Sequence, residues 1–185
     1  MYKGAESYDR FLNGDKTGMQ ELVELYRDGL ILYINSFVGS IDEAEDVAED
    51  VFVELVIKRP RFNHKSSFKT WLYGIARHKA LNSVKKMSRV EFLSDGELSE
   101  ISSDQEDLER QHIIDERKIT VHRALGKIKY EYRQVLYLSF FEEFSNDEIA
   151  LIMKKNKRQI ENLLYRSKLS LKAELEKEGF QYEEL

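Results

Sequence analysis

Apolar residues recur at helical spacing along most of this chain, and the strict alternation that is typical of strands is scarce. Before residue 88, three stretches have the pattern of amphipathic helices, which bury one face against a core. The sequence therefore predicts helices over residues 19–38, from about residue 42 to residue 59, and over residues 68–86.

Turn and capping residues mark the ends of these helices. Gly39 and Ser40 separate the first two. Pro60 stops the second helix, because the residue before a proline is pushed out of the α region. A polar loop follows, and Ser67 at its end can cap the third helix.

Helical spacing returns from about Ile113 and includes two helices joined by a tight turn. Ser145 and Glu148 form a capping box for the first helix, and Asn156 and Gln159 repeat the box in weaker form for the second. This arrangement matches a helix-turn-helix. The two helices would pack together through Ile149, Ala150, Ile160 and Leu164.

Composition separates the two helical regions. Residues 88–110 carry eight acids and two bases among small polar residues, which is typical of a solvated linker. The predicted fold is all-α: two small helical domains, residues 1–88 and 113–185, joined by a flexible acidic linker over residues 89–112. A length of 185 residues suits one or two such domains, and the C-terminal one contains the helix-turn-helix.

Charge is arranged in blocks that the net charge of −5 conceals. Residues 41–55 contain seven acids and no base, and residues 55–90 contain ten bases and no acid. The acids at 42, 46, 49 and 50 lie away from the apolar stripe of their helix. They form either a solvated face or a docking face for a basic protein partner.

Aromatic residues interleave with the basic block, a pattern that favours single-stranded nucleic acid because every base offers a π face. The spacing of Phe68 and Trp71 places most of their rings in the core. Phe62 and Tyr73 are expected nearer the surface.

The second helix of the helix-turn-helix has the composition of a DNA-recognition helix. From Lys154 to Lys172 there are seven bases and one acid, Glu161. The N-terminal part of such a helix enters the major groove. A basic helix on a solvated surface is the plainer alternative. The side chains that can reach base edges or phosphates are Lys157, Arg158, Gln159, Asn162 and Arg166.

Several classes of function are disfavoured. Without cysteine there is neither a disulfide nor a thiolate metal site, and the four histidines lack ligand spacing. A di-metal carboxylate site needs two Glu-x-x-His motifs, and only residues 109–112 provide one. No nucleophile motif or phosphate-binding glycine loop occurs, so we expect no enzyme, cofactor or metal. No secretory signal and no apolar run of roughly 18 residues is present, which favours a cytoplasmic protein without membrane insertion.

Three segments in this order resemble bacterial RNA polymerase sigma factors of the extracytoplasmic-function (group IV) type. AEDVAEDVF (44–52) is similar to the part of region 2 that docks on the β′ clamp helices. FKTWLYGIARHKALN (68–82) is similar to the part that melts and reads the minus-ten element. Residues 132–172 resemble region 4, which reads the minus-thirty-five element.

This resemblance implies an alternative sigma factor that binds core RNA polymerase, through the β′ clamp helices and the β flap, and initiates transcription at specific promoters. Promoter DNA, duplex and single-stranded, and an anti-sigma factor are the further implied partners. The loop 62–67 would hold a flipped base. The implied polymerase-binding residues are Asp46, Glu49 and Asp50. The implied minus-ten residues are Phe62, Asn63, Lys65, Ser66, Lys69, Tyr73, Arg77 and His78. The implied minus-thirty-five residues are Lys157, Arg158, Gln159, Asn162, Tyr165, Arg166 and Lys168.

One departure from the family pattern has a physical cost. Lys154 occupies the turn position that is often glycine, and a positive φ there would cost lysine about 1 kcal/mol. The rival hypothesis is a helix-turn-helix regulator that is not a polymerase subunit. It explains residues 145–172 but leaves the upstream pair of acidic and basic blocks unexplained.

Overall fold

The computed structural model describes residues 3–93 and 116–179, and every regular element within these two ranges is helical. The N-terminal group consists of α1 (Lys3–Leu12), α2 (Thr17–Val38), α3 (Ile41–Lys58) and α4 (Phe68–Leu93). The C-terminal group consists of α5 (Glu116–Lys127), α6 (Tyr130–Leu136), a π-helical turn (Tyr137–Phe141), α7 (Asn146–Met153) and α8 (Lys157–Lys177). The predicted all-α class with two helical units is confirmed.

The cap predicted at Ser67 forms, and Ser40 provides a further cap that the sequence prediction did not include. The Ser40 hydroxyl accepts from the Glu43 amide at the start of α3, and the Ser67 hydroxyl accepts from the Thr70 amide over 3.0 Å at the start of α4. Arg59 takes a left-handed φ of 45° and ends α3 before Pro60. Helix α4 continues to Leu93, past the predicted start of the linker. The rest of the predicted linker lies outside the described residues.

Helix α1 has no counterpart in the sequence prediction. It buries Ala5, Tyr8 and Phe11 against α2 and α4. The Tyr8 hydroxyl donates to the Pro60 carbonyl over 2.8 Å, so α1 holds the chain that leads from α3 into the loop. Burial raises the pKa of Tyr8 to about 12.

The helix-turn-helix has both predicted capping boxes. The Glu148 carboxylate accepts from the Ser145 amide over 3.0 Å, and the Gln159 side chain accepts from the Asn156 amide over 2.8 Å. Lys154 between the helices has φ 53° and ψ 47°, so the expected strain at this turn position is present. The buried residues Ile149, Ile160 and Leu164 pack the two helices together, with Ala150 partly buried beside them.

The two groups of helices are in contact. Helix α4 packs on α7, and α2 packs on α6. One continuous apolar cluster therefore runs from α1 and α2 of the N-terminal group to Ile160 and Leu164 of α8. A smaller cluster, formed by Leu125, Ile128 and Leu136, lies within the C-terminal group.

Candidate functional site

The recognition helix presents its predicted residues to solvent. Asn156 and Gln159 fix where α8 begins, and Ile160, Leu164 and Ser167 turn its opposite face inward. All seven predicted minus-thirty-five residues are exposed: Lys157, Arg158, Gln159, Asn162, Tyr165, Arg166 and Lys168.

Two of these side chains already have hydrogen-bond partners within the protein, and Lys168 Nζ lies 5.1 Å from the centroid of the Phe140 ring. The Oε1 atom of Gln159 is engaged in the capping box, so only its amide nitrogen remains for a base. Lys157 lies 3.0 Å from Asp147, and this hydrogen bond raises the pKa of Lys157. Arg158, Asn162 and Arg166 follow each other at intervals of four residues, which places them on one face of α8.

The exposed face of α3 is acidic in its first part and aliphatic in its second. Asp46, Glu49 and Asp50 are exposed as predicted. One heptad further along the same face, the exposed side chains are aliphatic. They are Val53, Val56 and Ile57, of which Ile57 is 74% exposed. This aliphatic extension was readable in the sequence, because Val53, Val56 and Ile57 lie seven residues after Asp46, Glu49 and Asp50, and residues seven apart share a face of a helix.

The loop before α4 carries exposed polar side chains. Asn63 and Lys65 are exposed, and Ser66 is half-buried. The Asn63 side chain accepts from the Lys65 amide over 3.1 Å, and His64 between them has a φ of 56°. On α4 itself, His78 is exposed and Arg77 is half-buried.

The expectation that Phe62 and Tyr73 lie near the surface is wrong. Phe62 is 7% exposed and Tyr73 is 1% exposed. The Phe62 ring packs against Phe68 and Trp71 at centroid distances of 5.5 and 5.3 Å, which pins the loop to α4. Neither ring has a free face for a base in this arrangement.

Tyr73 is buried because both groups of helices surround it. Its ring lies 5.3 Å from Tyr33 of α2 and 5.1 Å from Phe144 of the C-terminal group, centroid to centroid. Desolvation, together with the neighbouring Glu142 carboxylate to which its hydroxyl is hydrogen-bonded, raises the pKa of Tyr73. Gly29 of α2 allows this packing, since a Cβ there would lie 2.6 Å from the Tyr73 hydroxyl and 2.8 Å from Glu142 Oε1.

The first turn of α4 meets two carboxylates of the C-terminal group. Lys69 Nζ lies 2.8 Å from Glu142 Oε2 and donates to the Glu142 carbonyl over 2.9 Å. The hydroxyls of Thr70 and Ser67 donate to Glu148 Oε1 over 3.0 and 3.3 Å. Partial burial of Glu148 opposes ionisation, but the bonds from Ser145, Thr70 and Ser67 outweigh it and lower the pKa of Glu148.

Not every base of the basic block faces outward. Lys79 lies 3.0 Å from Glu54 of α3, and this hydrogen bond lowers the pKa of Glu54. Lys79 therefore joins α4 to α3. Lys65 is an exposed base of the block, whereas Lys69 is half-buried under the C-terminal group.

Two segments of the chain match models of one protein family. Residues 22–90 match the family described as Sigma-70 region 2, and residues 118–171 match Sigma-70, region 4. The RNA polymerase sigma-H factor of Pseudomonas aeruginosa is 30% identical over 172 residues, which make up 86% of this chain and 87% of that protein. The RNA polymerase sigma factor YlaC of Bacillus subtilis is 27% identical over 163 residues, covering 88% of this chain and 94% of that protein.

A solved structure has the same fold. The sigma factor RpoE of Bartonella quintana, determined in complex with the anti-sigma factor NepR, superposes with a TM-score of 0.68 at 19% identity. The match covers 85% of this chain and 96% of that one.

The chain therefore belongs to the sigma-70 family of RNA polymerase sigma factors. Within that family it is an alternative sigma factor of the extracytoplasmic-function type, which directs RNA polymerase to promoters. Within residues 3–93 and 116–179, no helix is long and apolar enough to cross a membrane, and no three metal-ligating side chains gather into a cation site.

Proposed function

We propose that the exposed face of α3 is the surface that docks on the β′ clamp helices of core RNA polymerase. The observation that carries this proposal is the mixed character of the face. Asp46, Glu49 and Asp50 supply charge that steers a basic partner, and Val53, Val56 and Ile57 supply apolar area for a desolvated centre. A merely solvated helix face has no need of three exposed aliphatic side chains in register with three acids.

We propose further that α8 reads duplex DNA at the minus-thirty-five element. Arg158 suits guanine edges and Asn162 suits adenine edges, while Arg166 and Lys168 suit phosphates. All four side chains are exposed, and the capping box at Asn156 fixes the residue at which α8 begins. Both observations support this role. The rest of the C-terminal group would contact the β flap.

The loop 61–67 and the first turns of α4 are the proposed site for the melted minus-ten strand. Asn63, Lys65 and Ser66 offer polar contacts at the loop, and Lys69, Arg77 and His78 continue them along α4. Phe62 anchors the loop to α4 through its ring contacts with Phe68 and Trp71. The division of the chain into domains 1–88 and 113–185 with a linker 89–112 remains part of this proposal.

We propose that the protein acts in the cytoplasm as a non-catalytic subunit of RNA polymerase. An anti-sigma factor is a proposed partner, because the related sigma factor RpoE of Bartonella quintana was solved bound to NepR. That partner would compete for surfaces that the polymerase or the promoter needs.

Transcription in vitro with core polymerase and a library of genomic promoter fragments tests the proposal. The variant Asp46→Lys/Asp50→Lys should lose the complex with core polymerase and, with it, specific transcripts. The matched control Glu6→Lys/Glu24→Lys makes the same charge change at exposed positions of α1 and α2. If the α3 variant binds core polymerase as tightly as the control does, α3 is not the docking surface.

A further inference from the structure

Helix α1 lies outside the segment that matches Sigma-70 region 2, which begins at residue 22. It nevertheless contacts the loop that is proposed to hold the melted minus-ten strand. The Tyr8 hydroxyl of α1 donates to the Pro60 carbonyl over 2.8 Å. Pro60 directly precedes the loop 61–67, so this hydrogen bond holds the backbone from which the loop starts.

We propose that Tyr8 is a positioning residue for minus-ten recognition, and that its hydroxyl, acting through Pro60, fixes the loop in the conformation that selects a promoter base. This role rests on the proposed minus-ten function of the loop. It adds a determinant of specificity that contacts no DNA itself, because the Tyr8 side chain is completely buried.

The backbone around the loop has a conformation that its own residues do not favour. Arg59 has a φ of 45° and His64 has a φ of 56°. The left-handed region is unfavourable for residues with a Cβ, and such conformations persist only where the surrounding structure imposes them. The contacts that surround the loop therefore decide its shape.

Aromatic packing joins Tyr8 to the loop. The Tyr8 ring lies 5.4 Å from Phe68 and 5.6 Å from Trp71, centroid to centroid. Phe62 of the loop packs on the same two rings, and its own ring lies 4.5 Å from that of His64. One cluster thus connects α1, the centre of the loop and α4, so a shift of Tyr8 reaches the residues that would face a base.

A second contact from α1 holds the residue at the end of α3. The Arg59 guanidinium carbon lies 5.4 Å from the centroid of the Phe11 ring, and Phe11 is 8% exposed. Tyr8 and Phe11 therefore hold two consecutive residues, Arg59 and Pro60, immediately before the loop.

Helix α1 is itself fixed in place by α2. A Cβ on Gly18 of α2 would overlap the Ser7 carbonyl oxygen, so the two helices approach closely beside Tyr8. The Ser7 hydroxyl donates to Glu21 Oε2 over 2.7 Å, and Arg10 pairs with the same carboxylate. Groups that position a binding site need such support, because a loosely held support does not fix the site.

Transcription by core polymerase with the full-length chain tests this role. The template is a promoter library that is randomised over the minus-ten element and constant elsewhere. Tyr8→Phe removes one hydroxyl and keeps the ring. We expect the base preference at the position that the loop reads to fall about fivefold, the factor that an ordinary hydrogen bond is worth. Preference in a second library, randomised at the minus-thirty-five element, should not change.

The matched control is Tyr26→Phe. It removes a hydroxyl from a ring of α2 that packs on Phe68 at a centroid distance of 6.0 Å, and it should leave both preferences unchanged. A loss of stability gives a different result from a loss of positioning. A partly unfolded chain supplies less active holoenzyme, which lowers transcription from every promoter by one factor. Such a uniform loss in Tyr8→Phe, with the preferences unchanged, would overturn the positioning role.

A loop variant separates this role from the proposal on which it rests. The triple variant Asn63→Ala/Lys65→Ala/Ser66→Ala removes the polar contacts of the loop. If Tyr8 acts through the loop, adding Tyr8→Phe to the triple variant should cause no further loss of preference, and a further fivefold loss would overturn that route. Relaxed preference in the triple variant but not in Tyr8→Phe overturns the role of Tyr8 and leaves the minus-ten assignment standing. Unchanged preference in the triple variant overturns the minus-ten assignment, and the role of Tyr8 with it.

Discussion

The ammonium group of Lys69 lies 2.8 Å from the carboxylate of Glu142, although 73 residues separate them in the chain. The Glu142 side chain is only 11% exposed, and it also accepts from the hydroxyls of Tyr73 and Tyr137. One carboxylate therefore joins α4 to the C-terminal group. Its loss leaves Lys69 without a counter-charge and the hydroxyls of Tyr73 and Tyr137 without their acceptor.

We accordingly predict that Glu142→Ala lowers the free energy of unfolding by about 1–3 kcal/mol, the usual cost of removing a partner from buried donors. Urea unfolding followed by circular dichroism measures this change. Glu143→Ala is the matched control and should stay within about 0.5 kcal/mol of wild type, since exposed substitutions are nearly neutral. Equal losses in the two variants would contradict the role of Glu142.

The stabilising effect of Glu148 should depend on pH. The pKa of Glu148 in the folded chain lies below its ordinary 4.5, so its contribution is complete above that value. The contribution is lost as the pH falls through the lower folded pKa. The free energy of unfolding should be measured for wild type and for Glu148→Gln from neutral to acid pH. The difference between the two proteins should shrink below pH 4.5. A difference that does not change with pH would refute this linkage.

Lys154 should be a site where glycine stabilises the protein. Its φ of 53° is unfavourable for a residue with a Cβ, and Lys154→Gly should raise the unfolding free energy by about 1 kcal/mol. Lys154→Ala removes the same side-chain charge but keeps the Cβ, and so should give no comparable gain. Thermal unfolding of the three proteins decides between strain and charge as the cause.

Ile57 should contribute to polymerase binding without contributing to stability. It is 74% exposed at the aliphatic end of the α3 face. We expect Ile57→Ser to weaken the complex with core polymerase by more than about 1 kcal/mol, as for an interface anchor, while leaving the unfolding curve in place. Leu12→Ser, at an exposed leucine of α1, is the control. Equal affinities of the two variants for core polymerase, measured by titration, would exclude Ile57 from the interface.

We expect some residues of α8 to contact base edges and others to contact the phosphates of the DNA backbone. Arg158→Ala and Asn162→Ala should each relax preference at particular positions by about 1–3 kcal/mol. Lys168→Ala should weaken binding to all sequences alike and reduce the salt dependence. Binding to a library of minus-thirty-five duplexes measures both effects. A uniform loss from all three substitutions would mean that the readout lies elsewhere.

The exposure of α8 was predictable from the sequence because helical periodicity and two capping boxes fix which face turns inward. The aliphatic end of α3 was equally readable, because Val53, Val56 and Ile57 each lie seven residues after one of the three acids. Helix α1 is absent from the sequence prediction although it was readable, because Ala5, Tyr8 and Phe11 recur at helical spacing among polar residues and are the ones it buries.

The burial of Tyr73 could not be read from its own helix. Its neighbours Tyr33 and Phe144 lie far away in the chain, and no local pattern records such pairings. The burial of Phe62 likewise depends on the loop folding back onto Trp71. Tertiary packing here overrides the expectation from composition, in which aromatics within a basic block remain free to stack on bases.

The contrast between an open α8 and a covered α4 has a consequence for the reading of substitutions. Every predicted residue of α8 is exposed, whereas Lys69 and Tyr73 contact the C-terminal group. A substitution in the exposed set of α8 alters a surface and leaves the core intact, so a loss of DNA binding there is not confounded with a loss of the fold. A substitution of Lys69 or Tyr73 alters the packing between the two groups of helices as well, so its effect on DNA binding has to be separated from its effect on stability.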